Sequence, residues 1–168
     1  DAEPCDPEVS DQEASDALAI DAAKRDLRRR MRATRLALTD RTERSARLWN
    51  AVLSRSDVDA ATRVLVFDSS EGEPETASLI AALVTAGKAI KVPEDVDLDP
   101  AWPDLIVVPG LAFTADGRRV GQGGGWYDRF LPGRRSDCVT IGVCFAPQLV
   151  DDVPTEAHDV VVDAVLTD

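Results

Sequence analysis

Between residues 15 and 38 the apolar positions recur at helical spacing. Ala23, Leu27, Met31 and Leu38 can share one face, which predicts a helix beginning near Ser15 or Asp16. Its polar face is basic, carrying Lys24, Arg25, Arg28, Arg29, Arg30, Arg32 and Arg35. Thr39-Asp40 has the residue types that open a helix, and Leu48, Val52 and Leu53 continue a second one. From Arg63 the pattern changes. Short runs rich in β-branched residues predict strands at Arg63–Phe67 (RVLVF), Ala89–Val92, Asp104–Val108 (DLIVV), Val139–Cys144 (VTIGVC) and Val160–Leu166. Between them lie a helix over 75–86, with Gly87 as its C-terminal cap, and a short helix from about Trp126 to Leu131. The strands are nearly continuous apolar runs, as expected where both faces are covered. The reading is a single-domain, three-layer α/β/α fold with a mainly parallel sheet, whose ligands bind beyond the carboxyl ends of the strands. No internal repeat is visible.

Composition and charge refine this picture. A chain of 168 residues with 44% hydrophobic and 30% charged residues fits one globular domain. No apolar run approaches the roughly 20 residues that span a bilayer. The net charge of -12 is unevenly spread: residues 1–21 hold eight acids and no Lys or Arg, leaving 23 acids against 19 bases elsewhere. Residues 1–21 read as an acidic, disordered tail, and 22–168 as the folded domain. They lack the basic-then-apolar order of a secretory signal. The three cysteines, Cys5, Cys138 and Cys144, fit no zinc or redox spacing and read as reduced thiols. The expectation is a cytoplasmic protein with no membrane or nucleic-acid partner, its oligomeric state left open with a monomer favoured.

The chemistry concentrates in RRVGQGGGWYDRFL, Arg118 to Leu131. Gly121, Gly123, Gly124 and Gly125 fall within five residues. Lacking a Cβ, glycine permits positive φ and close approach of a ligand to the backbone, and successive N–H groups can cradle an anion. The following helix would point its N-terminus at the same place, and Arg119 adds a full positive charge. The order matches neither a Walker A loop nor the G-x-G-x-x-G dinucleotide fingerprint. A glycine cluster alone is compatible with a flexible surface loop as well as with a phosphate site. Asp128 is placed to hold Mg²⁺ against bound phosphates, or to serve as an acid favoured by the helix dipole.

PGLAFTADGRRVGQGGGWYDRFL resembles the signature of the 5-formyltetrahydrofolate cyclo-ligases, also called methenyltetrahydrofolate synthetases. Weaker matches lie in order around it: K-R-D-L-R at Lys24–Arg28 with Arg35 beyond, E-P-E-T at Glu73–Thr76, and E-A-H-D-V-V-V-D at Glu156–Asp163. The resemblance implies an ATP-dependent ligase of one-carbon metabolism that closes 5-formyltetrahydrofolate to the 5,10-methenyl form, releasing ADP and phosphate. It assigns ATP to Lys24, Arg25, Asp26, Leu27 and Arg28, and to the loop Arg119, Val120, Gly121, Gln122, Gly123, Gly124, Gly125, Trp126 and Tyr127, part of which also faces the folate. It assigns the reduced folate to Glu73 and Asp68, and Mg²⁺ to Asp128 and Asp159. His158, the single histidine, receives no catalytic role.

The chain departs from the family between Pro93 and Asp104. Only EDVDLDPAWP stands where family members carry a longer segment that helps wall the folate pocket, and Trp102 is the one candidate remnant. Asp68 is more charged than expected at its position. The nucleotide half therefore looks complete and the folate half reduced. Two other readings follow: an ATP-dependent enzyme of this fold with a different substrate, and a non-catalytic paralogue that binds nucleotide or folate.

Overall fold

The computed structural model describes residues 7–95 and 98–168, with side chains from residue 12 onward. The chain opens with α1 (Pro7–Leu36), α2 (Arg41–Leu53) and α3 (Ser56–Ala60). It continues through β1 (Arg63–Leu65), α4 (Ala77–Thr85), β2 (Ala89–Lys91) and β3 (Leu105–Pro109). A small hairpin follows, β4 (Ala112–Phe113) and β5 (Arg119–Val120), then α5 (Trp126–Phe130), β6 (Val139–Val143) and β7 (Ala164–Leu166). Among the described residues, no helix is long and apolar enough to cross a membrane.

Five strands form one sheet in the order β2-β1-β3-β6-β7, every pair parallel. The period-2 geometry of a strand sends alternate side chains to opposite faces. Val64, Val66, Leu105, Val107, Ile141 and Val143 pack with Leu48, Trp49 and Val52 of α2 and Leu79 and Leu83 of α4. Leu65, Ile106, Val108 and Cys144 pack on the other face with Phe113, Phe130 and Leu131. Two apolar faces are why the strands read as unbroken apolar runs. The expected α/β fold with a parallel sheet is thus present. Its second outer layer is thin, built from the β4–β5 hairpin, α5 and a single 3-10 turn at Leu131–Gly133.

α1 covers that hairpin. Leu27 and Met31 bury against Leu111, Ala112, Val120 and Val153, using the helical stripe legible in the sequence. The helix begins at Pro7 rather than near Ser15, so the described part of the acidic stretch is helical; residues 1–6 lie outside the described residues. Two further differences have local causes. The β4–β5 hairpin turns at Gly117, whose φ is 93° and where a Cβ would stand 2.2 Å from the Val162 carbonyl oxygen, so only glycine fits. The last strand begins at Ala164 rather than Val160, because Val160 and Val162 are engaged elsewhere: the Val160 N–H donates to Asp128, and the Val162 N–H to the Gly117 carbonyl.

The strand order reverses between β1 and β3, since β2 lies to one side of β1 and the later strands to the other. In parallel sheets, the crevice at the carboxyl ends of such a pair is where ligands bind.

Candidate functional site

A cleft of about 620 Å³ opens at that point. Its floor includes Phe67 and Asp68 after β1 and Pro109 at the end of β3. α1 contributes Asp21, Lys24 and Arg28, the β1–α4 connection contributes Glu73, and the loop after β5 contributes Gly121 to Asp128. Pro93 and Glu94 line it from beyond β2, and Glu156, His158 and Asp159 from the segment before β7.

One end of the cleft is cationic and glycine-rich. Gly123 (φ 113°) and Gly125 (φ 67°) hold left-handed backbone, and a Cβ on Gly125 would stand 2.8 Å from Arg129 Nη1. Arginines tie the loop carbonyls: Arg28 Nε donates to Gly121 O at 3.1 Å, Arg32 Nη2 to Gln122 O at 2.8 Å and Arg129 Nη1 to Gly124 O at 2.8 Å. In a trans peptide the N–H points opposite the C=O, so these bonds turn the N–H groups of Gln122, Gly123 and Gly125 away from the guanidinium groups. Arg119 reaches the cleft from β5 and is buried; its Nη2 donates to Asp128 Oδ1 at 2.9 Å, while its Nε has no partner among the described residues.

Each of the two expected metal-binding acids has one oxygen committed. Asp128 Oδ1 accepts from Arg119 and from the Val160 N–H at 3.2 Å. Asp159 Oδ2 accepts from Lys24 Nζ at 2.6 Å and the Glu156 N–H at 2.8 Å. Oδ2 of Asp128 and Oδ1 of Asp159 carry none of these bonds, and oxygen atoms of this kind suit a hard cation. Lys24 also donates to Glu156 Oε2 at 2.7 Å. Burial alone would lower the Lys24 pKa, but the two carboxylates outweigh it and hold it above its ordinary value. Burial likewise opposes ionisation of Asp159, and its bonds to Lys24 and the Glu156 N–H overcome that and hold it below the usual carboxylate range.

Beside the loop, the lining is aromatic and acidic, and the Arg119 guanidinium lies 5.6 Å from the centre of the Tyr127 ring. Trp126 stacks on Phe130, centroids 4.5 Å apart at 16°, and meets Tyr127 edge-on at 4.7 Å. Burial pushes the Tyr127 phenol up, and its hydroxyl is enclosed with no partner among the described residues. Glu73 is buried, with Oε2 accepting from the Ser70 N–H at 2.8 Å and hydroxyl at 2.9 Å. Asp68 is exposed on the cleft wall.

Most of the residues proposed from the sequence thus converge on one cleft: Lys24, Arg28, Asp68, Glu73, Arg119, Gly121 to Asp128, and Asp159. Four do not line it. Leu27 and Val120 are core residues that seat α1 on the hairpin. Arg25 and Asp26 are exposed, Arg25 paired with Asp21 and Asp26 with Arg29 and Arg30. Helical periodicity explains this: Lys24 and Arg28 are one turn apart on one face, and the residues between them point elsewhere. Trp102 does not wall the cleft either; Lys91 Nζ sits 5.0 Å above its ring. Glu156 and His158 were not singled out for the site. Their nearness in sequence to Asp159 was the available signal, and with it they present ligand atoms all within 4.8 Å of one another.

The profile of the 5-formyltetrahydrofolate cyclo-ligase family matches residues 96–168. The mouse 5-formyltetrahydrofolate cyclo-ligase is 27% identical over 83% of this chain and 89% of its own length. The Escherichia coli K12 protein of the same name is 28% identical over 82% of this chain and 96% of its own. The similarity to the 5-formyltetrahydrofolate cyclo-ligase family thus lies in residues 96–168 for the family profile and extends over most of the chain for these two relatives. A shorter match of 42% identity links 38% of this chain to 33% of the Mycolicibacterium smegmatis cyclo-ligase. The fold is shared with the NMR structure of Aquifex aeolicus 5,10-methenyltetrahydrofolate synthetase, at a TM-score of 0.76 and 23% identity over 86% of this chain and 89% of that one. It is shared equally with the Mycoplasma pneumoniae synthetase, at a TM-score of 0.76 and 18% identity over 86% of this chain and 98% of that one. Most cyclo-ligase motifs read from the sequence therefore meet in one cleft at the switch point of the sheet.

Proposed function

We propose that this protein uses ATP to close 5-formyltetrahydrofolate to 5,10-methenyltetrahydrofolate, releasing ADP and phosphate. Similarity to the cyclo-ligase family supports the reaction. The observation that carries it is one cleft lined both by a cationic glycine loop with Lys24, Arg28 and Arg119 and by Trp126, Tyr127 and Glu73.

The chemistry asks for both kinds of lining. The N5-formyl group is an unreactive amide. Transfer of the terminal phosphoryl group to its oxygen creates a leaving group; N10 attacks the formyl carbon and gives up its proton, phosphate departs with that oxygen, and the five-membered ring closes. Phosphoryl transfer needs positioning and charge neutralisation more than covalent help. Lys24, Arg28 and Arg119 supply charge, and the loop N–H groups supply fixed dipoles. The free oxygens of Asp128 and Asp159, with Glu156 beside Asp159, are the donors that would hold Mg²⁺, which when bound would supply further neutralisation of phosphate charge. The enclosed Tyr127 hydroxyl and Arg119 Nε fit the same reading, because a polar ligand would give these buried groups the partners they lack. Glu73, held as an acceptor by Ser70, suits N–H groups of a folate.

An assay of methenyltetrahydrofolate formation with purified protein, Mg²⁺, ATP and 5-formyltetrahydrofolate tests this. The expected result is turnover that needs ATP and is lost in Asp128→Ala. MgATP binding without turnover would favour a second reading, an ATP-dependent enzyme with a different substrate, for which the short stretch 94–103 is the supporting observation.

A further inference from the structure

Gln122 stands in the glycine loop with small neighbours on both sides, yet its side chain spans to two other elements. Its backbone oxygen accepts from Arg32 Nη2 of α1 at 2.8 Å, and its side-chain oxygen is 3.4 Å from the same nitrogen. Its side-chain Nε2 donates to Glu73 Oε1 at 3.2 Å, across a sequence separation of 49 residues. Glu73 Oε2 is already filled by the Ser70 N–H and hydroxyl. Arg35 Nη1 also lies near Oε1, at 3.8 Å; it is buried and has no hydrogen-bond partner among the described residues. Gln122 therefore competes for the oxygen of Glu73 that a bound molecule would need.

We infer that Gln122 is a positioning residue, a clasp that ties the glycine loop to Glu73 and that a ligand must open in order to reach Glu73. This rests on the reading of Glu73 as a substrate contact. With the clasp shut, the loop is pinned at Gln122 by Arg32 on one side and Glu73 on the other. A ligand N–H that bonds to Glu73 Oε1 displaces the Gln122 amide and leaves the loop held by the arginine–carbonyl bonds alone. The buried Arg35 guanidinium keeps a positive charge behind Glu73 in both states. Because linkage is reciprocal, whatever stabilises the shut loop weakens binding at Glu73 by the same factor. The two halves of the cleft are thereby coupled through one side chain.

The test uses Gln122→Ala and Gln122→Met, the second keeping the length of the side chain without its hydrogen bonds. Backbone ¹⁵N order parameters across Gly121–Gly125 are measured without ligand. A fall from about 0.85 toward about 0.6 is expected in both variants. Unchanged order parameters in either variant overturn the clasp. Equilibrium binding of 5-formyltetrahydrofolate without nucleotide is then measured. Both variants are expected to bind about three- to ten-fold tighter, the effect of losing one ordinary competing hydrogen bond, and the folate is expected to lower the loop order parameters in the unsubstituted protein. Equal or weaker folate binding in variants whose loop has loosened overturns the competition. Absence of folate binding in every form sinks the substrate reading instead, while the ligand-free order parameters still decide the clasp.

Discussion

Lys24 Nζ lies 2.6 Å from Asp159 Oδ2, joining the first helix to the segment before the last strand across 135 residues. Glu156 closes a triad on the same ammonium at 2.7 Å. The lysine side chain is 7% exposed, against 15% for Asp159 and 30% for Glu156. Removing one member of a buried ion pair leaves the other charge uncompensated. Lys24→Met is expected to lower stability by about 1–3 kcal/mol, scaled down from the fully buried case because Glu156 keeps access to water. Thermal unfolding with and without Mg²⁺ checks this. The cation is expected to restore more stability to Lys24→Met than to the unsubstituted protein, because the carboxylates are then free of the ammonium. Turnover is expected to fall at least about a hundred-fold, as a charge on the transferring phosphate is lost.

Acid stability is expected to depend on a group far from the cleft. Asp104 takes bonds from Arg63 (2.7 Å), Arg135 (2.8 Å) and the Thr62 hydroxyl (2.8 Å). Arg63 is the main cause that holds its carboxyl well below the usual range, with Thr62 and Arg135 adding to it against the cost of burial. A depressed carboxylate pKa stabilises the fold above the ordinary value of about 4 and loses that contribution as pH falls toward the folded value. The side chain is 22% exposed, so solvent screens part of the effect. Asp104→Asn is expected to lose about 1–2 kcal/mol at neutral pH and to flatten the loss of stability below pH about 4. Urea midpoints between pH 7 and pH 2 read both.

The parallel sheet was legible because burial on both faces leaves strands of unbroken apolar residues, as in RVLVF and DLIVV. The glycine loop was legible because Gly123 and Gly125 hold left-handed backbone that other residue types rarely adopt. What escaped depends on contacts across the fold. The strand β7 is shorter than its apolar run because the N–H groups of Val160 and Val162 serve Asp128 and Gly117, neither of them near in sequence. The hairpin β4–β5 has only two residues per strand, too few for a period, although Asp116-Gly117 marks its turn. Within Lys24–Arg28, only the helical repeat tells which residues reach the cleft, and a motif carried over as a block includes Arg25, Asp26 and Leu27 as well.

Gly124 separates a steric role from a binding role. A Cβ there would meet nothing within 4 Å, and its φ lies outside the left-handed region. Gly123, by contrast, has φ 113°, where any side chain is strained. Gly124→Ala is expected to leave the melting temperature within about 2 °C, consistent with a surface change of a few tenths of a kcal/mol. It is expected to weaken MgATP by about ten-fold, because the added methyl occupies the space through which a phosphate would approach the backbone. Gly123→Ala is expected to lose both stability and affinity. Calorimetric titration beside thermal unfolding distinguishes the two patterns. Unchanged nucleotide affinity in Gly124→Ala would place the phosphates elsewhere in the cleft.

The two tryptophans with a claim on the substrate are predicted to behave differently. Trp102 lies in the shortened stretch but outside the cleft, with Lys91 over its ring. Trp126 lines the cleft, braced by Phe130 at 4.5 Å and Tyr127 at 4.7 Å. A braced aromatic face offers stacking surface without paying much to order itself, and loss of one such contact costs about 1–2 kcal/mol. Trp126→Ala is expected to raise the KM for 5-formyltetrahydrofolate about ten-fold, with the KM for ATP changing less than three-fold. Trp102→Ala is expected to leave both within about two-fold and to lower stability only slightly. Steady-state kinetics with each substrate varied in turn gives all four constants. A folate KM that follows Trp102 rather than Trp126 would mean that the short stretch closes over the cleft when substrate binds, and that the wall lies there and not on α5.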